Sequence, residues 1–333
     1  MTGEANLIQR ITKAVPSIIG PGKGPARLGI GDDAALLRQP SGREWVLSCD
    51  AFVEGTHFLP AHPPESVGYK ALARAASDLA AMGATPSLFL LTLALPAART
   101  GAWLDGFLQG MRRAARSLKM RLAGGDTTKG AKISASLTVL GEIHAGRAIL
   151  RSGARPGDLI YVSEPLGRAQ LGLELVRAGH GHLKRLARLL EPHLYPQIRT
   201  QLGIWLARAG AASAMIDISD GLSTDLARLA AASGVGARLS ANQIPIVVVP
   251  PAVSKLIPSR RLDPLQMALN GGDDYELLFT VPRRRERLLR RAPGFRHLTR
   301  IGEITRERRL TLVDSTGKAK PLKPAGWDPF IRT

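Results

Sequence analysis

The segment SVGYKALARAASDLAAMGA, residues 66–84, constrains this chain more than any other stretch. Its small and apolar residues recur at helical spacing and Gly83 ends the run, which predicts a helix over 66–84. Asp78 shares one face of that helix with Ala71, Ala75 and Met82, and Leu72, Ala76, Leu79 and Gly83 fill the adjacent face. A helix this apolar must be buried, and its carboxylate goes with it. An unpaired buried carboxylate is expensive, so Asp78 has to be protonated, paired with a base or bound to a cation. Its neighbours Ala76, Ser77, Leu79 and Ala80 supply no base. That leaves Arg74, one turn earlier, as an ion-pair partner, or a metal ion.

The other aspartates sharpen the choice. Nine of the fifteen fall in six short segments, most of them with glycine: GIGDD (Asp32, Asp33), LSCD (Asp50), AASDLAAMG (Asp78), AGGDTT (Asp126), DISDG (Asp217, Asp220) and GGDD (Asp273, Asp274). Taken singly, each reads equally well as a turn, because Asp and Gly are turn residues. Taken together they are hard oxygen ligands on short arms, beside backbone that a ligand can approach closely. Acidic clusters with few histidines and no cysteine set suit Mg²⁺ rather than zinc, and magnesium implies phosphate. No Walker loop is present, since GPGKGP lacks the required spacing, and no kinase-type glycine loop is followed by its lysine and aspartate. Metal ions would have to hold phosphates that other folds hold with backbone loops.

With 333 residues, 44% of them apolar, the chain is long enough for about two domains. Its longest apolar run, LFLLTLALPAA, has eleven residues, well short of the roughly 20 of a membrane-spanning helix. The N-terminal residues lack the apolar core of a signal peptide, and the expected location is the cytoplasm. A single cysteine, Cys49, excludes an internal disulfide and a multi-cysteine zinc site. The net charge of +19 is uneven: residues 281–310 hold eleven Arg against three acids. That segment reads as a solvated helix leading into strands, or as an anion-attracting surface. No nucleic-acid motif accompanies it, so nucleic acid is not an expected partner.

Along the chain, residues 5–14 have helical spacing and GPGKGP breaks it. A strand ending in a turn is expected at 44–58, a buried strand at 86–95, a helix at 101–118 and a strand at 133–143, with no helix of this half between clearly parallel strands. Gly, Pro and Asp crowd into RSGARPGD, residues 151–158, which places a domain boundary there and gives domains 1–150 and 151–333. Strands at LIYVS, AMIDIS and YELLFTV alternate with helices beyond it. The expected class is α/β of α+β character, in two lobes.

The order GIGDDAALL, SCDAFVEGTHF, KALARAASDLAAMGATP, GGDTTKG, RSGARPGDLIYV, IDISDGLSTDL, GGDDYELLFTV resembles the thiamine-monophosphate kinases, within the aminoimidazole ribonucleotide synthetase-like superfamily. The resemblance runs from about residue 29 to 281, with a weaker tail at PAGWDPF. It implies the two-lobe fold of that superfamily and a homodimer whose N-terminal halves pair. The implied reaction is ATP-dependent phosphorylation of thiamine monophosphate to thiamine diphosphate by direct transfer, with several Mg²⁺ ions. Carried over by motif, the implied magnesium ligands are Asp33, Asp50, Asp78, Asp126, Asp217 and Asp220, helped by Ser48 and the backbone at Cys49. Gly125, Asp126, Arg151 and Ser219 are the implied ATP contacts. His57, Asp273 and Trp327 are the implied contacts to thiamine monophosphate, and Asp126 and Asp220 stand closest to the chemistry. The remaining alternatives are another ATP-using synthetase or cyclase of the superfamily, and a basic nonenzymatic nucleic-acid-binding protein.

Overall fold

The computed structural model describes residues 3–18, 21, 25–257, 262–292 and 296–330. Most of the predicted GPGKGP break lies outside them. The first lobe comprises α1 (Glu4–Ala14), β1 (Ala26–Leu28), β2 (Ala35–Arg38), β3 (Arg43–Val53), α2 (Pro64–Ala81), β4 (Thr85–Leu95), α3 (Ala102–Leu118), β5 (Arg121–Lys129) and β6 (Ser134–His144). Its six-stranded sheet has the order β1-β2-β3-β6-β4-β5.

The second lobe comprises β7 (Leu159–Val162), α4 (Arg168–Arg177), α5 (Ala187–Leu194), α6 (Thr200–Ala209), β8 (Ala214–Ile218), α7 (Leu222–Ser233) and β9 (Gly236–Ser240). It continues with α8 (Pro251–Ser254), α9 (Pro264–Asn270), β10 (Glu276–Val281), α10 (Glu286–Leu289), β11 (Thr299–Thr305), β12 (Leu310–Val313) and β13 (Ala319–Pro321). The seven strands run β13-β12-β9-β11-β7-β10-β8. The arginine-rich stretch forms a short helical segment and then strands, as its solvated reading expects.

Two expectations change. β4 and β5 are parallel neighbours joined through α3, so the first lobe does hold a helix between parallel strands; AGGDTT lies within β5, where its glycines hid the strand. The segment 86–95 is also not buried on both faces. Along β4, Phe89, Leu91, Leu93 and Leu95 are buried while Leu90 is 41% exposed, because side chains alternate across a strand and helices cover only one face. The uncovered face ends at β5, all nine of whose residues are exposed.

Strand β7 is the converse case. Leu159 and Tyr161 join the core beneath α2 and α3, while Ile160 and Val162 join the core beneath α7 and α9. Both faces of β7 are covered, which explains its unbroken apolar sequence. The two lobes therefore share one apolar core, and α2 packs against β3, β4 and β6 on one side and α6 and β8 on the other.

The α2–α3 contact is made by glycine. A Cβ on Gly68 would lie 1.8 Å from the Phe107 carbonyl oxygen, and one on Gly110 would lie 1.8 Å from the Glu65 carbonyl oxygen. Only backbone fits at this crossing. Gly68→Ala should therefore lower stability by at least about 2 kcal/mol by overpacking, read as the midpoint of urea unfolding; a wild-type midpoint would contradict so close an approach.

Candidate active site

Helix α2 carries Lys70, Arg74, Ser77 and Asp78, a polar stripe at i, i+4, i+7 and i+8 on an otherwise apolar rod. Each residue of the stripe meets a different segment. Lys70 Nζ donates to Asp273 Oδ2 at 2.7 Å, and Arg74 Nε donates to Asp50 Oδ2 at 3.2 Å. Ser77 Oγ donates to Asp217 Oδ2 at 2.6 Å, and Asp78 accepts the Ser48 hydroxyl. Arg74 thus bonds Asp50 rather than Asp78. The first lobe supplies Ser48 and Asp50 from β3, and the second supplies Asp217 from the end of β8 and Asp273 from the turn before β10.

Oxygens of Asp33, Asp78 and Asp217 lie within 4.8 Å of one another. Asp33 Oδ1 accepts the Arg151 guanidinium at 2.7 and 3.1 Å, while its buried Oδ2 has no partner among the described residues. Burial, then the neighbouring Asp50, Asp217 and Asp33, pushes Asp78 well above the usual carboxylate range. Burial and Asp33 push Asp217 up to about 7. Three hard carboxylates, one of them with an orphaned oxygen, and a hydroxyl fit a magnesium ion. Asp32 shapes the turn beside them: it accepts the backbone N–H groups of Asp33 and Arg151 at 3.0 and 3.2 Å, and burial together with Asp33 raises it to about 6.

These shifts predict a pH dependence for the metal-free protein. A carboxyl whose folded value is raised from 3.8 to about 6 or 7 contributes stability that is present below the unfolded value and lost as pH rises through the folded one. In EDTA the melting temperature should fall between about pH 4 and pH 7, and Mg²⁺ should reverse the fall at pH 8. Equal melting curves at pH 8 with and without Mg²⁺ would count against a metal at this cluster.

Other sequence-derived residues lie apart from the cluster. The Asp220 carboxylate is paired with Arg228. Cys49 is exposed, its Sγ facing Ser136 and Thr138, which leaves its backbone rather than its thiol for any ligand role. Gly125 and Asp126 sit on exposed β5, where Asp126 pairs with Thr92, Thr92 with Ser136 and Ser136 with Ala51. At about 4.8 Å per strand, that row puts Asp126 about 14 Å from β3, on the face away from α2. The Ser219 carbonyl accepts the Asp273 N–H at 2.8 Å, and the Trp327 N–H donates to the Asp220 carbonyl at 2.8 Å, drawing the tail over the β8–α7 turn. Trp327 is 40% exposed.

His57 Nδ1 accepts the Val53 N–H at 3.0 Å, and its ring stacks on Phe52. Burial and Arg74 lower it to about 4, against the opposing pull of Asp273 and Asp50, so the imidazole is neutral at pH 7. Sequence reasoning passed over Lys70, Ser77, His62, His193 and Tyr275. The signal for Lys70 and Ser77 was available in their spacing from Asp78; nothing local marks the histidines.

Family models describe residues 31–143 as an AIR synthase related protein N-terminal domain and residues 155–315 as the C-terminal domain. A thiamine-monophosphate kinase of Escherichia coli K12 is 39% identical over 98% of both chains. The chain belongs to the thiamine-monophosphate kinase family. Among solved structures, thiamine monophosphate kinase from Aquifex aeolicus is 31% identical, covering 96% of this chain and 98% of its own, with a TM-score of 0.78. A complex described as AaThiL with AMPPCP and TMP superposes with a TM-score of 0.84 at 32% identity, over 98% of this chain and 97% of that one. Those relatives match the fold class.

Proposed function

We propose that this chain transfers the γ-phosphoryl group of ATP directly to the phosphate of thiamine monophosphate, forming thiamine diphosphate and ADP. The observation that carries this reading is the cluster of Asp33, Asp78 and Asp217, drawn from both lobes, with one buried oxygen left unpartnered. Ser48, the Cys49 backbone, Asp50, Asp126 and Asp220 complete the proposed set for several magnesium ions. Magnesium held there would supply charge neutralisation between two polyanions and a template for in-line transfer.

The attacking oxygen belongs to a phosphate monoester whose second pKa is about 6, so it is already ionised at neutral pH. The chain needs no general base for this step. Its own task is alignment. Arg151, whose Nε and Nη2 both donate to Asp33 Oδ1, supplies a planar donor fork for the ATP phosphates, helped by Ser219, with Gly125 assigned to the ATP contacts from β5. Neutral His57, the Asp273 carboxylate and the Trp327 ring are assigned to thiamine monophosphate, the carboxylate suiting its cationic ring and the indole its flat face.

Residues 1–150 form the ATP-binding, dimerising domain in this reading and residues 151–333 the domain that completes the site. Exposed β5 and the uncovered sheet face support a homodimer through the N-terminal halves, since an open edge of nine residues invites pairing. The distance of Asp126 from β3 supports giving Asp126 to the partner's site in such a dimer. No helix among the described residues is long and apolar enough to cross a membrane, and we place the protein in the cytoplasm. The test is direct: protein, ATP, Mg²⁺ and thiamine monophosphate should yield thiamine diphosphate and ADP in equal amounts. Orthophosphate in place of thiamine diphosphate would defeat the reading and favour cyclase-type chemistry.

A further inference from the structure

Behind Asp273 lies a buried chain of side chains that phosphoryl transfer does not use. Lys70 is 1% exposed; its Nζ donates to Asp273 and stands 3.3 Å from His193 Nδ1. His193 Nε2 is 2.8 Å from His62 Nε2, and His62 Nδ1 is 3.1 Å from the Leu59 carbonyl oxygen and 3.0 Å from the Leu59 backbone nitrogen. Both imidazoles are buried. The chain thus ties α2, α5 and the segment before α2 to the turn 271–275. In that turn Asp273 and Tyr275 adopt φ of +68° and +51°, a region L residues seldom occupy.

Lys70 sets the proton at its end of this chain. Burial, then the Lys70 charge, lowers both histidines, His62 to about 4, so each is neutral at pH 7, with one N–H and one lone pair. Lys70, paired with Asp273, has only protons to offer, which makes His193 Nδ1 the acceptor. His193 Nε2 then carries the proton, facing His62 Nε2.

We propose that Lys70, braced from behind by His193 and His62, is the positioning residue of the thiamine subsite, fixing the Asp273 carboxylate for an aromatic cation bearing N–H donors. This rests on the substrate assignment made above. Asp273 Oδ2 is taken by Lys70 and Oδ1 by the Tyr275 hydroxyl at 2.7 Å, so the carboxylate cannot rotate. Its side chain stays 30% exposed, and the remaining lone pairs are available to a substrate donor. The pair also holds the left-handed turn in place, because losing Lys70 would leave Asp273 charged and unpaired.

Steady-state kinetics of full-length Lys70→Met and Lys70→Arg test this. Lys70→Met should raise KM for thiamine monophosphate about tenfold or more, the loss expected when a charged hydrogen bond is removed. KM for ATP should stay within about twofold, and Lys70→Arg should recover part of the loss. Equal changes in both KM values, or none, would overturn the proposal. Should Lys70→Met fail to fold, ¹⁵N spectra of the wild-type histidines decide. His193 should carry its proton on Nε2, and the opposite tautomer overturns the relay. Wild-type protein that makes no thiamine diphosphate would instead overturn the substrate assignment, and this inference with it, while leaving the His193 tautomer to be read independently.

Discussion

Asp78→Asn is expected to lower kcat by at least about a hundredfold, the order seen when one preorganised charge-stabilising group is lost, while the protein folds normally. The argument has two parts. Asp78 occupies the middle of α2, the element that both lobes pack against, and its carboxylate meets those of Asp33 and Asp217. Amide cannot replace carboxylate as a magnesium ligand of equal charge, so substrate phosphates would meet without their neutralising cation. The same change relieves the crowding of three buried carboxyl groups, whose mutual repulsion disfavours their ionised forms. Metal-free Asp78→Asn should therefore melt at or above the metal-free wild type at pH 8, and respond less to added Mg²⁺. An inactive variant that also melts much lower would point to misfolding. Wild-type turnover would remove the cluster from the mechanism altogether.

The second large effect is intersubunit rescue. Asp126→Asn and Asp78→Asn should each be nearly inactive alone. If Asp126 serves the partner's site, a mixed dimer of the two holds one site with neither substitution and one site with both. Random reassortment of equal amounts makes half the dimers mixed, so activity should return to roughly a quarter of wild type. If each chain used its own Asp126, every site would carry a substitution and no activity would return. The expectation follows from the sheet order, which separates β5 from β3 by β4 and β6, and from the exposure of all nine β5 residues. The assay is thiamine diphosphate formation after the variants are mixed, denatured and refolded together, against each variant treated alone.

Much of this was legible in the sequence because the signals were local. The α2 pattern predicts a helix at 66–84 against the observed Pro64–Ala81, and three of the six aspartates that the family resemblance implies as magnesium ligands, Asp33, Asp78 and Asp217, meet in the structure. Strands β7, β8 and β10 read correctly as short apolar runs between turns. What was missed depends on tertiary packing. Strand β5 contains two glycines and buries nothing in one chain, so neither propensity nor periodicity marks it. Leu90 looks like core in sequence, yet one face of β4 has no helix above it. His62 and His193 are 131 residues apart, and no spacing rule joins them. Arg74 stands in the sequence as one of two possible partners for Asp78, the other a metal ion, because helical neighbours are the only side chains a sequence displays, whereas β3 brings Asp50 to the guanidinium.

Helix α2 has a mechanical consequence. The same rod touches both sheets and bears Lys70, Arg74, Ser77 and Asp78, with its backbone pressed on α3 at Gly68 and on α6 at Gly203. A clamshell hinge between the lobes would pull apart its bonds to Asp217 and Asp273. Access for a nucleotide must come from movable trim around a stiff axle, and the piece so arranged is the 322–330 tail over the β8–α7 turn.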